Sequence, residues 1–427
     1  MSVAGPGFSA RQFAPSQHQS TQVDHCRSCG SPDRAPLVSL GVTPIANSLS
    51  DSAASARTAP RYPLGIMMCR GCGLVQLADA LPAEAIFTTD YPYFSSYSDE
   101  LRKHSRMHAE RITHELALGP QSLVVEIGSN DGYLLREFRD LGVRVLGIDP
   151  SPGPAAVAQA DGIETLVEFF GVPVAQRLRQ QGVRPDLILA NNVMAHVPDL
   201  NSFVAGIAAL AGPATTIQIE NPSVRDLVDK VEFDTIYHEH YCYFSSIAVS
   251  RLLGRHGLTL QDVEHFPLHG GTLRWTASRS GRARAGARQT LAQETAAGLA
   301  TPAYFADFRN HVASLQSSLV ELLTRLRGEG ARVAAYGAAA KGATLLNSSG
   351  VQPGMLEFVA DRNVNKQGRF MPGVALEIVS PEQLIADNPD YVLLLAWNFV
   401  DEILQQLAPY RAQGGRVIVP VPQLTIV

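Results

Sequence analysis

Basic runs are missing from this chain: no stretch of about five or six Lys or Arg occurs, and the formal net charge is −5. Without a concentrated positive surface there is no long-range attraction to a phosphate backbone, so nucleic acid is not an expected partner. No apolar run approaches the roughly 18 residues that a membrane helix needs. The N-terminal stretch is rich in Ser, Gln and Pro and has no apolar h-region, so it does not form a signal peptide. Cysteine is scarce, five in all, and four of the five fall into two close pairs rather than scattering like a disulfide framework. The expectation is a cytoplasmic protein with no membrane contact.

What is present is ordinary globular material. Hydrophobic residues make up 45% of the chain and charged residues 18%, enough apolar surface to fold. A length of 427 residues exceeds one core, so two large domains and a smaller unit are expected. Residues 1–24 read as a disordered leader, because few apolar side chains offset their ordering entropy. Residues 25–80 hold the cysteine pairs among Gly and Pro. Residues 81–300 begin with a helical pattern from Asp99 to about Ala117. They continue with buried strands at 123–127, 143–149, 186–190 and 216–220, alternating with helices. Residues 301–427 repeat that alternation, with strands at 333–337, 356–361, 391–395 and 416–419 and a helix from about Lys341. A helical connection, 288–328, lies between the two. Apolar strands alternating with helices give an α/β fold whose parallel sheets are covered on both faces.

Cys26-x2-Cys29 and Cys69-x2-Cys72 are each followed by a glycine, Gly30 and Gly73. Glycine lets the chain turn so that backbone amides face the thiolates, and four sulfurs complete a closed tetrahedral zinc site. The alternative is two reduced pairs without metal, or a redox couple. A zinc ion with four thiolates has no open position, so its role is to hold the fold, and chemistry is sought elsewhere. Cys242, left over, reads as a small buried side chain.

The stretch Val124 to Tyr133 ends a strand, turns through Gly128, Ser129, Asn130, Asp131 and Gly132, and opens a helix. Ligands of open parallel sheets bind at the carboxyl ends of strands, where glycine admits close backbone approach. The loop has no Gly-Lys-Ser/Thr, which excludes a triphosphate cradle. Asp149, about twenty residues on, closes the next strand where an acid accepts bonds from ribose hydroxyls. Glu126, Gly128, Gly132 and Asp149 in this order resemble the class I S-adenosylmethionine fold. A dinucleotide unit is the alternative, with a Gly-x-Gly-x-x-Gly fingerprint that differs from the spacing here. Asn130, Tyr133 and Asn191 join the expected cofactor contacts. His196, in the loop after the strand at 186–190, belongs at the reacting end of the sheet.

Tyr237-His238-Glu239-His240-Tyr241-Cys242-Tyr243-Phe244 gathers groups able to exchange protons, and it is not a His-Glu-x-x-His metalloprotease signature. If this segment is extended, His238 and His240 share one face and Tyr237 and Glu239 the other. The alternative is a hydrogen-bonded core network. With the cysteine pairs, the donor loop, this run and the later Gly337-Ala338-Ala339-Ala340-Lys341-Gly342 in order, the chain resembles the three-domain sugar C-methyltransferases, which methylate C3 of 4-keto deoxy nucleotide sugars. The resemblance covers nearly all of the chain beyond the leader. It implies a zinc-binding module, a class I methyltransferase Rossmann-like domain, and a second Rossmann-like domain that holds the nucleotide sugar.

It further implies a carbanion route, with His240 as base, Tyr237 and His196 donating to the developing enolate oxygen, and Glu239 orienting His240 or gripping the sugar. Tyr91 matches a substrate-site position of that family. Glu220, Asn221, His269, Lys341 and Asp361 complete the expected substrate contacts, Lys341 beside the diphosphate and Asp361 at ribose hydroxyls. A second unit that binds nothing and only walls the cleft is the alternative. O- or N-methylation of another small molecule would use the same residues on a hydroxyl or amine. A protein or RNA adaptor with a relict donor fold is the reading from outside enzymology, and the acidic balance opposes its RNA form. These residues carry no reading of oligomeric state.

Overall fold

The computed structural model describes residues 19–86 and 93–427. Its center is a seven-stranded sheet. Thr165–Leu166, Arg144–Ile148, Leu123–Ile127, Leu187–Asn191 and Thr216–Pro222 lie side by side and parallel. Every residue of Leu123–Ile127 and Leu187–Asn191 is buried, as expected for strands covered on both faces. An antiparallel hairpin, Thr259–Phe266 and Thr272–Ser278, completes the sheet against Thr216–Pro222. The lead-in helix runs from Asp99 to Glu115 and starts where Ser98 accepts a bond from the Leu101 amide, a standard N-terminal cap.

A second sheet orders Ile378–Val379, Val359–Ala360, Val333–Tyr336, Tyr391–Leu394 and Arg416–Val419 in parallel, with Thr425–Ile426 antiparallel at the edge. The strand expected at 356–361 is only Val359–Ala360, because a turn with Gly354 at φ +81° occupies the preceding residues. The helices Ala285–Ala296 and Phe308–Gly328 form the expected connection. Among the described residues no helix is long and apolar enough to cross a membrane.

The cysteine module is a ribbon of Arg34–Pro44, Arg61–Cys69 and Val75–Leu77, and its fourth strand, Cys242–Tyr243, comes from far along the chain. Thr21–Gln22, inside the expected leader, pairs with Asp79–Ala80. The module is therefore hydrogen-bonded to the segment that directly follows the Tyr-His-Glu-His run.

Candidate active site

The four cysteine Sγ atoms lie within 4.8 Å of one another, with Cys26 to Cys72 and Cys29 to Cys69 each at 3.5 Å. Zinc–sulfur bonds of about 2.3 Å in a tetrahedron put sulfurs about 3.8 Å apart, so the set fits Zn²⁺. The amides of Ser28 and Cys29 point at Cys26 Sγ, and Gly30 and Gly73 take φ +75° and +76°. The expected role of the glycines is thus visible in the knuckles themselves.

A cavity of about 510 Å³ opens where the ribbon and both sheets meet. Its wall brings together Gly128, Asn130, Tyr133, Asp149, Asn191, His196, Asn221, Tyr237, Glu239, His240, His269 and Lys341. On the donor side the amide of Gly128 bonds Ile148 O at 2.7 Å. Asp149 accepts the amides of Asn130 and Ser151, both at 2.8 Å. Burial raises the Asp149 carboxyl and these two amides oppose the rise. Asn191 Oδ1, Asn192 Oδ1 and both amide atoms of Asn221 are buried without a partner among the described residues. Unsatisfied buried polar atoms around a cavity at strand ends fit a polar ligand such as S-adenosylmethionine.

Gly128 has φ +75°, and a Cβ there would meet Val193 Cβ at 2.7 Å. Gly128→Ala is expected to lower stability by about 1–2 kcal/mol, the cost of a left-handed L-residue, and to weaken donor binding further by the clash. Thermal melts and calorimetric titration with S-adenosylmethionine check both.

The catalytic candidates sit on a tight turn. The His240 amide bonds Tyr237 O at 2.9 Å, so residues three apart are brought together, and the two-faced extended arrangement does not form. Tyr237 Oη lies 2.9 Å from His240 Nε2, and His240 Nδ1 lies 2.9 Å from the carbonyl of Thr235. A carbonyl only accepts, so Nδ1 carries the proton, Nε2 holds the lone pair, and the Tyr237 hydroxyl donates to it. Burial drives the His240 pKa well below its ordinary value, and the neighboring His196 adds to this. Burial also lowers His196, to about 4. Both rings are neutral at pH 7, with centroids 4.7 Å apart.

His238 points the other way, bonding Pro63 O of the ribbon at 3.2 Å. Glu239 accepts the Asn47 side-chain amide, also from the ribbon, at 2.8 Å. The group that orients His240 is therefore the Thr235 carbonyl rather than Glu239.

Four expected contacts stand behind the wall. Glu126 is fully buried under the donor loop, and burial followed by the charges of Asp149 and Asp131 pushes its carboxyl well up. Gly132 lets the chain pass Ile163, whose Cδ1 lies 2.6 Å from where its Cβ would be. Glu220 is bound by Arg274 and, at 3.1 Å, by His104 Nε2. Burial would raise Glu220, but the bond to His104 and the charge of Arg274 bring it down to about 2. Asp361 accepts the amides of Ala338 at 2.7 Å and Asn363 at 2.8 Å, and so shapes the second loop instead of facing the cavity. Tyr91 lies outside the described residues.

Other wall residues went unnoticed in the sequence. Asn47 comes from the ribbon, Lys366 bonds Ala338 O at 2.8 Å, and Asn398 and Phe399 follow the strand Tyr391–Leu394. Asn398 and Phe399 carried a usable signal, since they lie at the carboxyl end of a parallel strand. Thr235 carried none, because only its main chain acts.

Three family models match the chain in series. They describe a zinc-binding domain at 26–87, a methyltransferase domain at 101–263 and a C-methyltransferase C-terminal domain at 267–422. The last begins inside the hairpin, although hydrogen bonds place Thr272–Ser278 in the donor sheet. The C-methyltransferase NovU of Streptomyces niveus is 33% identical over 408 residues, 95% of this chain and 97% of that protein. A ubiquinone biosynthesis O-methyltransferase of Methylobacterium sp. (strain 4-46) is 30% identical over 182 residues, 38% of this chain and 71% of its own. The magnesium protoporphyrin IX methyltransferase of Synechocystis PCC 6803, solved with bound SAM, has 17% identity and a TM-score of 0.32, covering 43% of this chain and 82% of that one. Matched along almost its whole length by one C-methyltransferase and by all three models, the chain belongs to this C-methyltransferase family and is an S-adenosylmethionine-dependent enzyme with a zinc-binding module.

Proposed function

We propose that the enzyme methylates C3 of a 4-keto deoxy nucleotide sugar through an enolate, in the cytoplasm, during deoxysugar synthesis for a natural product such as an antibiotic. The observation that carries this reading is the Tyr237–His240 pair, a tautomer-fixed imidazole and a phenol in one cavity with the donor loop. The ketone at C4 acidifies the proton on C3. His240 Nε2 takes that proton once the Tyr237 hydroxyl turns from it to the C4 oxygen. The electron pair of the broken C–H bond forms the enolate, and its negative oxygen accepts from Tyr237 and His196. Donors fixed where charge develops contribute most to the rate. S-adenosylmethionine bound on the donor loop supplies the electrophilic methyl that the enolate carbon accepts.

Lys341 and Lys366, the two lysines in the wall, favor an anionic diphosphate, and Glu239 with Asn47 offers polar atoms to the sugar. A cavity near 510 Å³ is of ligand size. Four cysteines kept as thiolates for a metal suit a reducing compartment. The O-methyltransferase relative favors a second reading, methylation of a hydroxyl, but that similarity covers 38% of the chain. Incubation with a panel of keto nucleotide sugars, followed by mass spectrometry and NMR of the product, separates the two. A new methyl on a quaternary or tertiary ring carbon is expected, and a methyl on oxygen or nitrogen overturns the proposal.

A further inference from the structure

The base is oriented by a main-chain carbonyl, so whatever holds that carbonyl governs the base. Thr235 closes a short turn, Phe233–Thr235, in which Asp234 is fully buried. The Asp234 carboxylate is not paired with an arginine. Its Oδ2 accepts the indole N–H of Trp397 at 2.6 Å. Trp397 belongs to the other large unit, in the turn Trp397–Phe399 after the strand Tyr391–Leu394. The same turn continues the contact. Asn398 Oδ1 accepts from Lys341 Nζ at 2.8 Å, Asn398 Nδ2 lies 3.4 Å from His269 Nδ1, and Lys341 Nζ sits 4.6 Å from the Trp397 ring center.

Resting on the reading of His240 as base, we propose that the Trp397–Asp234 hydrogen bond is a positioning link. Through it the C-terminal unit sets the Thr235 carbonyl and hence the Nδ1–H tautomer of His240. Docking of the two units and readiness of the base are then one event. A carboxylate buried this deeply is sensitive to its partners. Burial raises Asp234 to about 6, opposed by the Lys341 charge and by the Trp397 bond. Removing the indole N–H deprives the turn of its side-chain hydrogen bond to the other unit, and the Thr235 carbonyl is freed to rotate. Neither Asp234 nor Trp397 reaches the reacting atoms, so both are positioning residues.

Trp397→Phe keeps an aromatic ring under Lys341 and deletes the N–H, and Asp234→Asn removes the charge at constant shape. For each, kcat is expected to fall about 10- to 100-fold, the weight of one charge-assisted hydrogen bond, with acceptor KM and S-adenosylmethionine affinity little changed. The double variant should be no worse than Trp397→Phe alone, since Asp234→Asn only strips the charge from the bond that Trp397→Phe deletes. Ring-labeled histidine NMR of the acceptor-free enzyme gives an independent readout, with the His240 signals assigned by their loss in His240→Gln. Wild type should show a single Nδ1–H tautomer at His240, and both variants a mixture. The chain has two tryptophans, and the other, Trp275, bonds Ser246 Oγ, so the indole spectrum reports directly on whether the Trp397 bond persists. Wild-type kcat in Asp234→Asn, or an unmixed tautomer in either folded variant, overturns the link. If wild type methylates no keto nucleotide sugar, the functional proposal falls, and the histidine spectra still decide the link.

Discussion

His240→Ala is expected to abolish methyl transfer and, with it, deuterium uptake from solvent at the carbon next to the ketone. The two readouts test different bonds. Exchange needs only C–H cleavage, so its loss assigns His240 to proton removal and not to methyl positioning. A well-placed base contributes about 10²- to 10⁴-fold, and with Nε2 the lone-pair nitrogen facing Tyr237 the upper part of that range is expected. S-adenosylmethionine affinity should stay at the wild-type level, because the bonds that shape the donor loop run to Ile148 and Asp149 and not to the histidine turn. Tyr237→Phe should slow transfer less and leave some exchange, since the base survives and only an enolate donor is lost. Exchange persisting at the wild-type rate in His240→Ala would reassign the base.

The pH profile follows from the same burial. The His240 pKa is depressed below its ordinary 6.5, so the neutral, proton-accepting form persists as pH falls through 6.5 and is lost only below it. Transfer by the wild-type enzyme is therefore expected to be flat from pH 8 to about 6.5 and to decline at lower pH, in contrast to a half-point at the free imidazole value. A solvent-exposed base would give that higher half-point.

Much of this was legible in the sequence because it depends on local pattern. Leu123–Ile127 and Leu187–Asn191 are apolar apart from Glu126 and Asn191, and the Cys pairs carry their own spacing. The hairpin Thr259–Phe266 and Thr272–Ser278 was not legible. A bulge between Leu260 and Asp262 shifts its register, so the apolar and polar residues alternate out of phase. Glu220 looked like a cleft acid until its partners, Arg274 and His104, arrived from distant elements. An extended run would put Tyr237 and Glu239 on one face, whereas the turn brings Tyr237 and His240 together. The last two misses are a long-range partner and a turn closed by main-chain bonds, and neither leaves a periodic trace.

Removing the zinc is expected to stop methyl transfer while leaving donor binding in place. Structural zinc sites contribute about 10–16 kcal/mol of apparent binding free energy, all of it tied to the folded state. The ribbon is small, and the metal joins its two knuckles directly at their thiolates. What makes the loss catalytic is the crossing of chains. The Leu77 amide bonds Tyr241 O at 3.0 Å, and Cys242 and Tyr243 pair with Gln76 and Val75. Gln76 in turn accepts the Arg27 amide at 2.8 Å beside Cys26, and Asn201, close after the His196 loop, donates to Arg27 O at 2.8 Å. The Tyr241 amide bonds Ala195 O at 2.7 Å, so the two histidine-bearing loops are clamped to each other by a strand that the ribbon holds. Metal loss releases that strand at one end, and the Tyr237–His240 turn and His196 lose their common frame. Hydrogen exchange after chelation should therefore rise in 26–87 and in 236–244 together, with the strand Leu123–Ile127 still protected and S-adenosylmethionine still bound. Exchange confined to 26–87, with transfer intact, would reduce the ribbon to an appendage.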